Sequence, residues 1–263
     1  MDNEKDYITF MNEIGDAAAA VSLKYFKKPL DILSKGKKLG TEFDPVTVAD
    51  RNTEFAIREL IREKYPTHSI MGEEHADETK SSNYKWIIDP IDGTRAYITG
   101  VPTWGTLVAL KNGDDHEIGM IDQPYLKERF IGTKNGSTMN GAPIKCRPCD
   151  TIFNATISTT DPLQLFKDDD EQDLFFRVAA GAKMMRNGYD CYAYAMVAMG
   201  FMDVVVEAGL EAYDIQGIIP VIEGAGGIVT NWQGEKVTEG GQIVACGDKR
   251  LHEQVIGLLN TTI

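Results

Sequence analysis

Along residues 7–26, Phe10, Ile14, Ala17, Ala18, Val21 and Tyr25 recur at the three- and four-residue steps of an amphipathic helix. The same period over 48–64, with Ile57, Leu60, Ile61 and Lys64 on one face, predicts a second helix that "YPTHS" ends. From residue 69 the pattern changes. "SIMG" (69–72), "KWIID" (85–89), "WGTLVAL" (104–110), "EIGMID" (117–122) and "RFIG" (129–132) are short apolar runs joined by turn-forming residues. Such spacing predicts a mostly antiparallel sheet and not repeated βαβ units. Beyond residue 150 the pattern alternates: strands at 152–159, 202–208, 228–232 and 243–246, helices at 170–182, 190–200, 214–227 and 249–260. The expected architecture is a layered α/β chain. Residues 1–150 form an α+β part with a mostly antiparallel sheet and the candidate binding loops, and residues 151–263 form an α/β part that completes the site.

Composition narrows the function classes. With 263 residues, 43% of them hydrophobic and 25% charged, the chain has the apolar content for a full core. No run approaches the roughly 18 to 20 apolar residues of a membrane span. The first residues, "MDNEKDYITF", are acidic where a secretory leader is basic and then apolar, so a cytoplasmic protein is expected. A formal net charge of −13 argues against a nucleic-acid partner. The same charge repels a phosphate ester, unless divalent cations reverse the local sign. Cys146 and Cys149 form a "CRPC" pair with no second Cys/His pair nearby, and read as ordinary reduced thiols in preference to a zinc or redox site.

The candidate chemistry lies in four acidic clusters: Asp44 and Asp50 in "DPVTVAD", Glu73 and Glu74 in "GEE", Asp89 and Asp92 in "DPIDGT", and Glu207 and Asp214 in "EAGLEAYD". Each has a plainer reading by itself. Thr47 and Asp50 match a helix capping box, Asp214 an N-cap, and "DPIDG" a turn. Together they fall where apolar strand or helix patterns end, which is where active-site loops collect in layered α/β folds. Hard cations need several oxygen ligands, and a two-metal phosphoryl site needs a carboxylate shared between ions. Asp89, ending an apolar strand, suits the shared position, and Asp92 can turn back after Pro90. Gly93 and Thr94 then offer backbone N–H groups and a hydroxyl to a phosphate oxygen.

"DPIDGT" resembles the defining motif of the inositol monophosphatase superfamily of Mg²⁺-dependent phosphatases. "DPVTVAD", "GEE", "NGAPI" (140–144), "YDIQG" (213–217) and "EGAGGIVT" (223–230) have family counterparts in the same order. The resemblance implies an inositol monophosphatase/fructose-1,6-bisphosphatase-like αβαβα fold. It further implies metal ligation by Glu73, Asp89 (bridging), the Ile91 carbonyl, Asp92 and Asp214, with two or three Mg²⁺ ions. Asp50, paired with Thr94, would position the nucleophilic water, while Gly93 and Thr94 hold phosphate. The reaction implied is direct hydrolysis of a small phosphate ester by a metal-activated water, with no phosphoenzyme. The family also implies a homodimer.

"DGTRAYITGVPTWGTLVAL" and "GYDCYAYAMVAMGFMDVVVEAGLEAYD" are similar to the histidinol-phosphate phosphatase branch, acting in histidine biosynthesis. Inositol phosphates, an adenosine bisphosphate and a sugar bisphosphate are the alternative substrates. A non-catalytic cation-binding protein is an alternative of another class. A substrate carrying an amine and an imidazole calls for carboxylates or amides in its pocket. Glu207 falls where inositol phosphatases place a substrate-contacting Glu. Asp190 admits either substrate contact or a helix N-cap, and Arg95 either substrate contact or a structural ion pair. Tyr192 and Tyr194 read as core packing, and His68, His75, His116 and His252 as surface groups.

Overall fold

A computed structural model describes residues 2–29, 31–34 and 45–261. Asp44 lies outside the described residues. Helix α1 (Asp2–Tyr25) leads to a small ladder of β1 (Leu33–Ser34) and β2 (Pro45–Val46), then to α2 (Val48–Lys64). A seven-stranded sheet follows: β3 (Ser69–Gly72), β4 (Tyr84–Asp92), β5 (Gly105–Asn112), β6 (Asp115–Gln123), β7 (Glu128–Thr133), β8 (Gly136–Met139) and β9 (Ala142–Ile144), in sequential order. Only β3 and β4 run parallel in it; the other neighbours are antiparallel. A short helix, α3 (Thr94–Thr99), interrupts it after β4.

The second sheet contains β10 (Thr156–Thr159), β11 (Met184–Asn187), β12 (Val204–Leu210), β13 (Ile228–Thr230) and β14 (Gly241–Cys246), ordered β11-β10-β12-β14-β13. Between its strands come α4 (Asp169–Gly181), α5 (Asp190–Ala198), α6 (Ala212–Ile215) and α7 (Ile219–Gly224), and α8 (Lys249–Leu259) closes the chain.

Strand alternation sorts the side chains into layers. On β5, Val108 and Leu110 face Phe10, Met11, Ile14, Ile57 and Ile61 of α1 and α2. Leu107 faces the opposite way, into a core shared with α5, α7 and Val205 of β12. Val204 and Val206 then meet Phe175 and Val178 of α4 and Leu251 and Val255 of α8. The order of layers is helix, sheet, helix, sheet, helix: the αβαβα arrangement expected.

Four local expectations are corrected. The helix expected over 214–227 is two short helices, because Gly217 is pressed against β5 and β6, where an added Cβ would lie 3.0 Å from the Val108 nitrogen. Residues Ile152–Asn154 are a 3₁₀ turn capped by Thr151, so the strand there begins at Thr156. His68 and His252 are buried and not on the surface. His68 stacks between Tyr65 and Tyr84, ring centroids 4.7 and 4.8 Å away, and accepts a 3.2 Å hydrogen bond from the Trp86 indole, while His252 pairs with Thr230 Oγ1 at 2.7 Å. The four cysteines are buried free thiols.

His116, half-buried on β6, sets its Nε2 2.8 Å from Gln216 Oε1. Burial holds its pKa down to about 4, against an ordinary 6.5. The unfolded chain therefore takes up this proton first, so the stability from neutral His116 is complete above about pH 6.5 and is lost as pH falls towards 4. Wild type is expected to lose on the order of 3 kcal/mol relative to His116→Asn across that window. Urea unfolding at stepped pH measures the difference; parallel curves for the two proteins would refute it.

Candidate active site

The site begins with a fault in a strand. Across from β4, Asp89 pairs with Leu107 and Asp92 with Gly105, so three steps along β4 match two along β5. In a regular strand residues three apart point to opposite faces; the extra residue of a bulge returns them to the same one. Pro90 sits inside the bulge, where a missing N–H costs no ladder bond, and its carbonyl accepts from Thr106 Oγ1 at 2.8 Å. The strand thus runs on through Asp92, and Asp89 does not end it as the sequence pattern suggested.

Asp89 and Asp92 meet Asp214 of α6, and one carboxylate oxygen from each lies within 4.8 Å of the others. Glu73, just past the end of β3, hydrogen-bonds with Asp89. Burial, then the charges of Glu73, Asp92 and Asp214, push the Asp89 carboxyl well above the usual range. Asp92 is raised as well, by burial and by Asp190 and Asp214, although the Cys191 N–H donates to its Oδ2 at 2.7 Å. Among the described residues no Lys or Arg is among the causes acting on either group. Three carboxylates this close, Asp89 and Asp214 buried and Asp92 half-buried, form a donor set of hard oxygens that suits a divalent cation.

Asp50 keeps its capping-box role, whereas Asp214 is not the N-cap expected of it: Glu211 holds that position and Asp214 is the N3 residue. Asp50 is the N3 residue of the α2 capping box; its Oδ2 accepts from the Thr47 N–H at 2.8 Å and from Thr47 Oγ1 at 2.6 Å. Asp214 holds the same position in α6, where its Oδ2 accepts from the Glu211 N–H at 2.7 Å. Capping commits one oxygen and fixes the rotamer, so it orients the other. Asp50 Oδ1 lies 3.5 Å from Thr94 Oγ1, which also donates to the Ile91 carbonyl at 3.2 Å.

The remaining candidates line the same cleft, which encloses about 890 Å³ with its open mouth included. Asp190 is not an N-cap. Tyr189 holds that position, and Asp190 opens α5 with φ +48° while its Oδ2 accepts from Thr103 Oγ1 at 3.1 Å. A left-handed backbone at a non-glycine residue is strained and marks a constrained place. It faces Gly93, itself at φ +78°, where an added Cβ would lie 2.8 Å from the Asp190 Cβ. Burial raises Asp190 to about 6, with the Thr103 hydroxyl and the Arg95 charge opposing.

Glu207 on β12 is buried. It accepts from the Thr160 N–H at 2.8 Å, from Thr160 Oγ1 at 2.5 Å and from the Tyr194 hydroxyl at 2.9 Å. Tyr194 and Thr160 are cleft residues that the sequence reading missed. Tyr194 was assigned to the core from its place in an apolar helix, and its ring is there; only the hydroxyl reaches the site. Its partner is an acidic residue thirteen positions away on the next strand, a contact no local pattern signals.

Comparison with known proteins identifies the family. Residues 3–263 match the model of the "Inositol monophosphatase family". The chain is 41% identical over 257 residues to the bifunctional phosphatase IMPL2, chloroplastic, of Arabidopsis thaliana, covering 93% of this chain and 72% of that one. It is 32% identical to a histidinol-phosphatase of Chlorobaculum parvum over 90% of both chains. The solved structure of an inositol monophosphatase from Zymomonas mobilis superposes with a TM-score of 0.87 at 34% identity, covering 98% of each chain. Motif order, layer order and relatives point one way, and the chain belongs to the inositol monophosphatase family of phosphatases.

Proposed function

We propose that the protein hydrolyses L-histidinol phosphate to L-histidinol and phosphate, with Mg²⁺, as a step of histidine biosynthesis. Enzymes of this family are metal-dependent phosphatases. The observation that carries the substrate reading is that two further carboxylates, half-buried Asp190 and buried Glu207, line the same cleft as Asp89, Asp92 and Asp214. A leaving group with an amine and an imidazole complements them; a ring of hydroxyls gains less from two anions. The identity to a histidinol-phosphatase supports the same branch.

In this reading Glu73, Asp89, the Ile91 carbonyl, Asp92 and Asp214 hold the divalent ions. Bound ions would neutralise phosphate charge and make a water more acidic. Gly93 and Thr94 receive a phosphate oxygen beside the bulge. Thr94 Oγ1 and Asp50 Oδ1 orient the attacking water, and its proton passes toward Asp50 Oδ1. A new P–O bond forms from that water as the P–O bond to histidinol breaks, and the departing alkoxide takes a proton from solvent. Asp190 and Glu207 bind the cationic end, with Tyr194 and Thr160 fixing the Glu207 carboxylate. Arg95, beside Asp190, limits how much negative charge that wall presents. The family resemblance also implies a homodimer.

The second reading, an inositol monophosphatase, is favoured by the close superposition on the Zymomonas mobilis protein. Phosphate release from L-histidinol phosphate and inositol 1-phosphate, each with Mg²⁺ and with chelator, separates the two. The expected result is metal-dependent release at least about tenfold faster from the histidinol ester, the factor that one charge-assisted hydrogen bond supplies. Preference for the inositol ester would keep the metal floor and overturn the substrate. No release from either would overturn the catalytic reading.

A further inference from the structure

Four residues beyond Asp50 on α2 is Glu54, and four beyond that is Arg58, so all three share one helix face. Glu54 and Arg58 are buried, and their side chains pair at 2.7 Å. A buried ion pair is costly unless its remaining lone pairs and protons are satisfied. Here they are satisfied by one loop. Glu54 Oε2 accepts from the Glu74 N–H at 2.7 Å and Oε1 from the His75 N–H at 3.2 Å. Arg58 donates to the His75 carbonyl from Nη2 and to the Ala76 carbonyl from Nη1, each at 3.1 Å.

Four main-chain bonds thus fix the segment that begins at the residue after Glu73. On its other side, Gly72 lies so close that an added Cβ would sit 2.2 Å from Glu54 Oε1 and 2.9 Å from Arg58 Nη2. Further on, Glu78 binds Arg58 Nη1 at 3.0 Å and rejoins β3 through paired backbone bonds with Ile70. Glu73 is the one residue between a glycine pressed on the pair and a loop bonded to it.

We infer that Glu54 and Arg58 are positioning residues for the metal centre: α2 supplies Asp50 directly and sets the place of Glu73 through this buried pair. The inference rests on the metal-dependent reading of the site. The ion pair spends its charge on backbone groups, so Glu73 is delivered at fixed geometry and its carboxylate stays available for the cluster. Gly72 is the size the pair demands.

The test is calorimetric titration of Mn²⁺ into the chelator-stripped full chain, with Mg²⁺ dependence of phosphate release measured alongside. In Glu54→Gln the amide group cannot accept from both N–H groups, and in Arg58→Lys the fork to the His75 and Ala76 carbonyls is lost. Both variants are expected to bind Mn²⁺ about 10- to 100-fold more weakly, the usual cost of losing a group that orients a ligand. Release at saturating Mg²⁺ should return to within about threefold of wild type, as a positioning role requires. Glu78→Gln, which leaves the Glu54 bonds in place, should stay within about twofold of wild type in Mn²⁺ affinity.

Folded variants with wild-type Mn²⁺ affinity would overturn the inference. So would loss of activity that saturating Mg²⁺ does not restore. If Glu54→Gln does not fold, Arg58→Lys decides, and failure of both to fold would make the pair a folding element and overturn the positioning role. A wild type that binds Mn²⁺ but releases no phosphate would refute the proposed function and leave the calorimetric comparison standing.

Discussion

Asparagine in place of Asp89 is expected to abolish metal-dependent phosphate release while making the metal-free protein more stable. The activity loss should be on the order of a thousandfold or more, the scale on which a single preorganised charge-stabilising group acts. The gain in stability comes from the same charge. Asp89 is almost wholly buried, close to Glu73, Asp92 and Asp214, and each charge it faces is of its own sign. Asparagine keeps the shape and the Oδ1 that accepts from the Ile91 N–H at 3.0 Å, and it removes the repulsion. Thermal unfolding in chelator should place the variant about 2 °C or more above wild type, which corresponds to roughly 1 kcal/mol in a chain of this size. With Mg²⁺ the order should reverse, because binding to the native state stabilises wild type alone. A variant less stable than wild type in chelator would show that burial and repulsion of the Asp89 charge do not cost the metal-free protein stability.

The second large effect lies away from the cleft. Helix α7 and the turn before it press their backbone against glycines of β7 and β6. A Cβ added to Gly132 would lie 2.2 Å from the Pro220 carbonyl oxygen and 2.4 Å from the Val221 Cα, and one added to Gly119 would lie 2.4 Å from the Gly217 oxygen. These obstacles are backbone, so no rotamer change relieves them. Gly132→Ala should therefore cost about 3 kcal/mol, the upper end of the usual range for overpacking, and lower the melting temperature by roughly 6 to 12 °C. Since α6 and its Asp214 lead into α7, metal affinity should fall with it. The same change at Gly257, exposed on α8 with nothing within 4 Å of the added methyl, should stabilise by about 0.5 to 1 kcal/mol. Thermal melts of the two alanine variants side by side provide the check, and equal melting temperatures would refute the seat.

What the sequence made legible follows from how local each signal is. The period of α2, the apolar runs of β3 to β7 and the acidic clusters were readable because each depends on neighbours a few residues apart. The strands β8, β9 and β11 were not. β11 exposes all four of its residues, β8 is four mostly small or polar residues, and β9 is three residues centred on a proline, so none carries an apolar alternation. The break between α6 and α7 was hidden because the pressure on Gly217 comes from β5 and β6, about a hundred residues earlier in the chain. Within the site, residue types and order were visible in "DPIDGT". The bulge that turns Asp89 and Asp92 to one face was not, since it exists only against β5. Capping and a site role do not exclude one another at Asp50 and Asp214, because one carboxylate has two oxygens and the cap engages one of them.

The bond from the Cys191 N–H to Asp92 spans 99 residues of chain, and Asp214 lies further on still. Closing loops of that length is slow, because the entropy is lost before the contact rewards it. During synthesis the "DPIDGT" segment leaves the ribosome well before α5 and α6 exist. Until they dock, Asp89 and Asp92 are two acidic groups on an unfinished sheet, with Asp214 still absent. Tight capture of a cation therefore belongs to the end of folding, and metal uptake by a growing chain would time the moment the second sheet arrives.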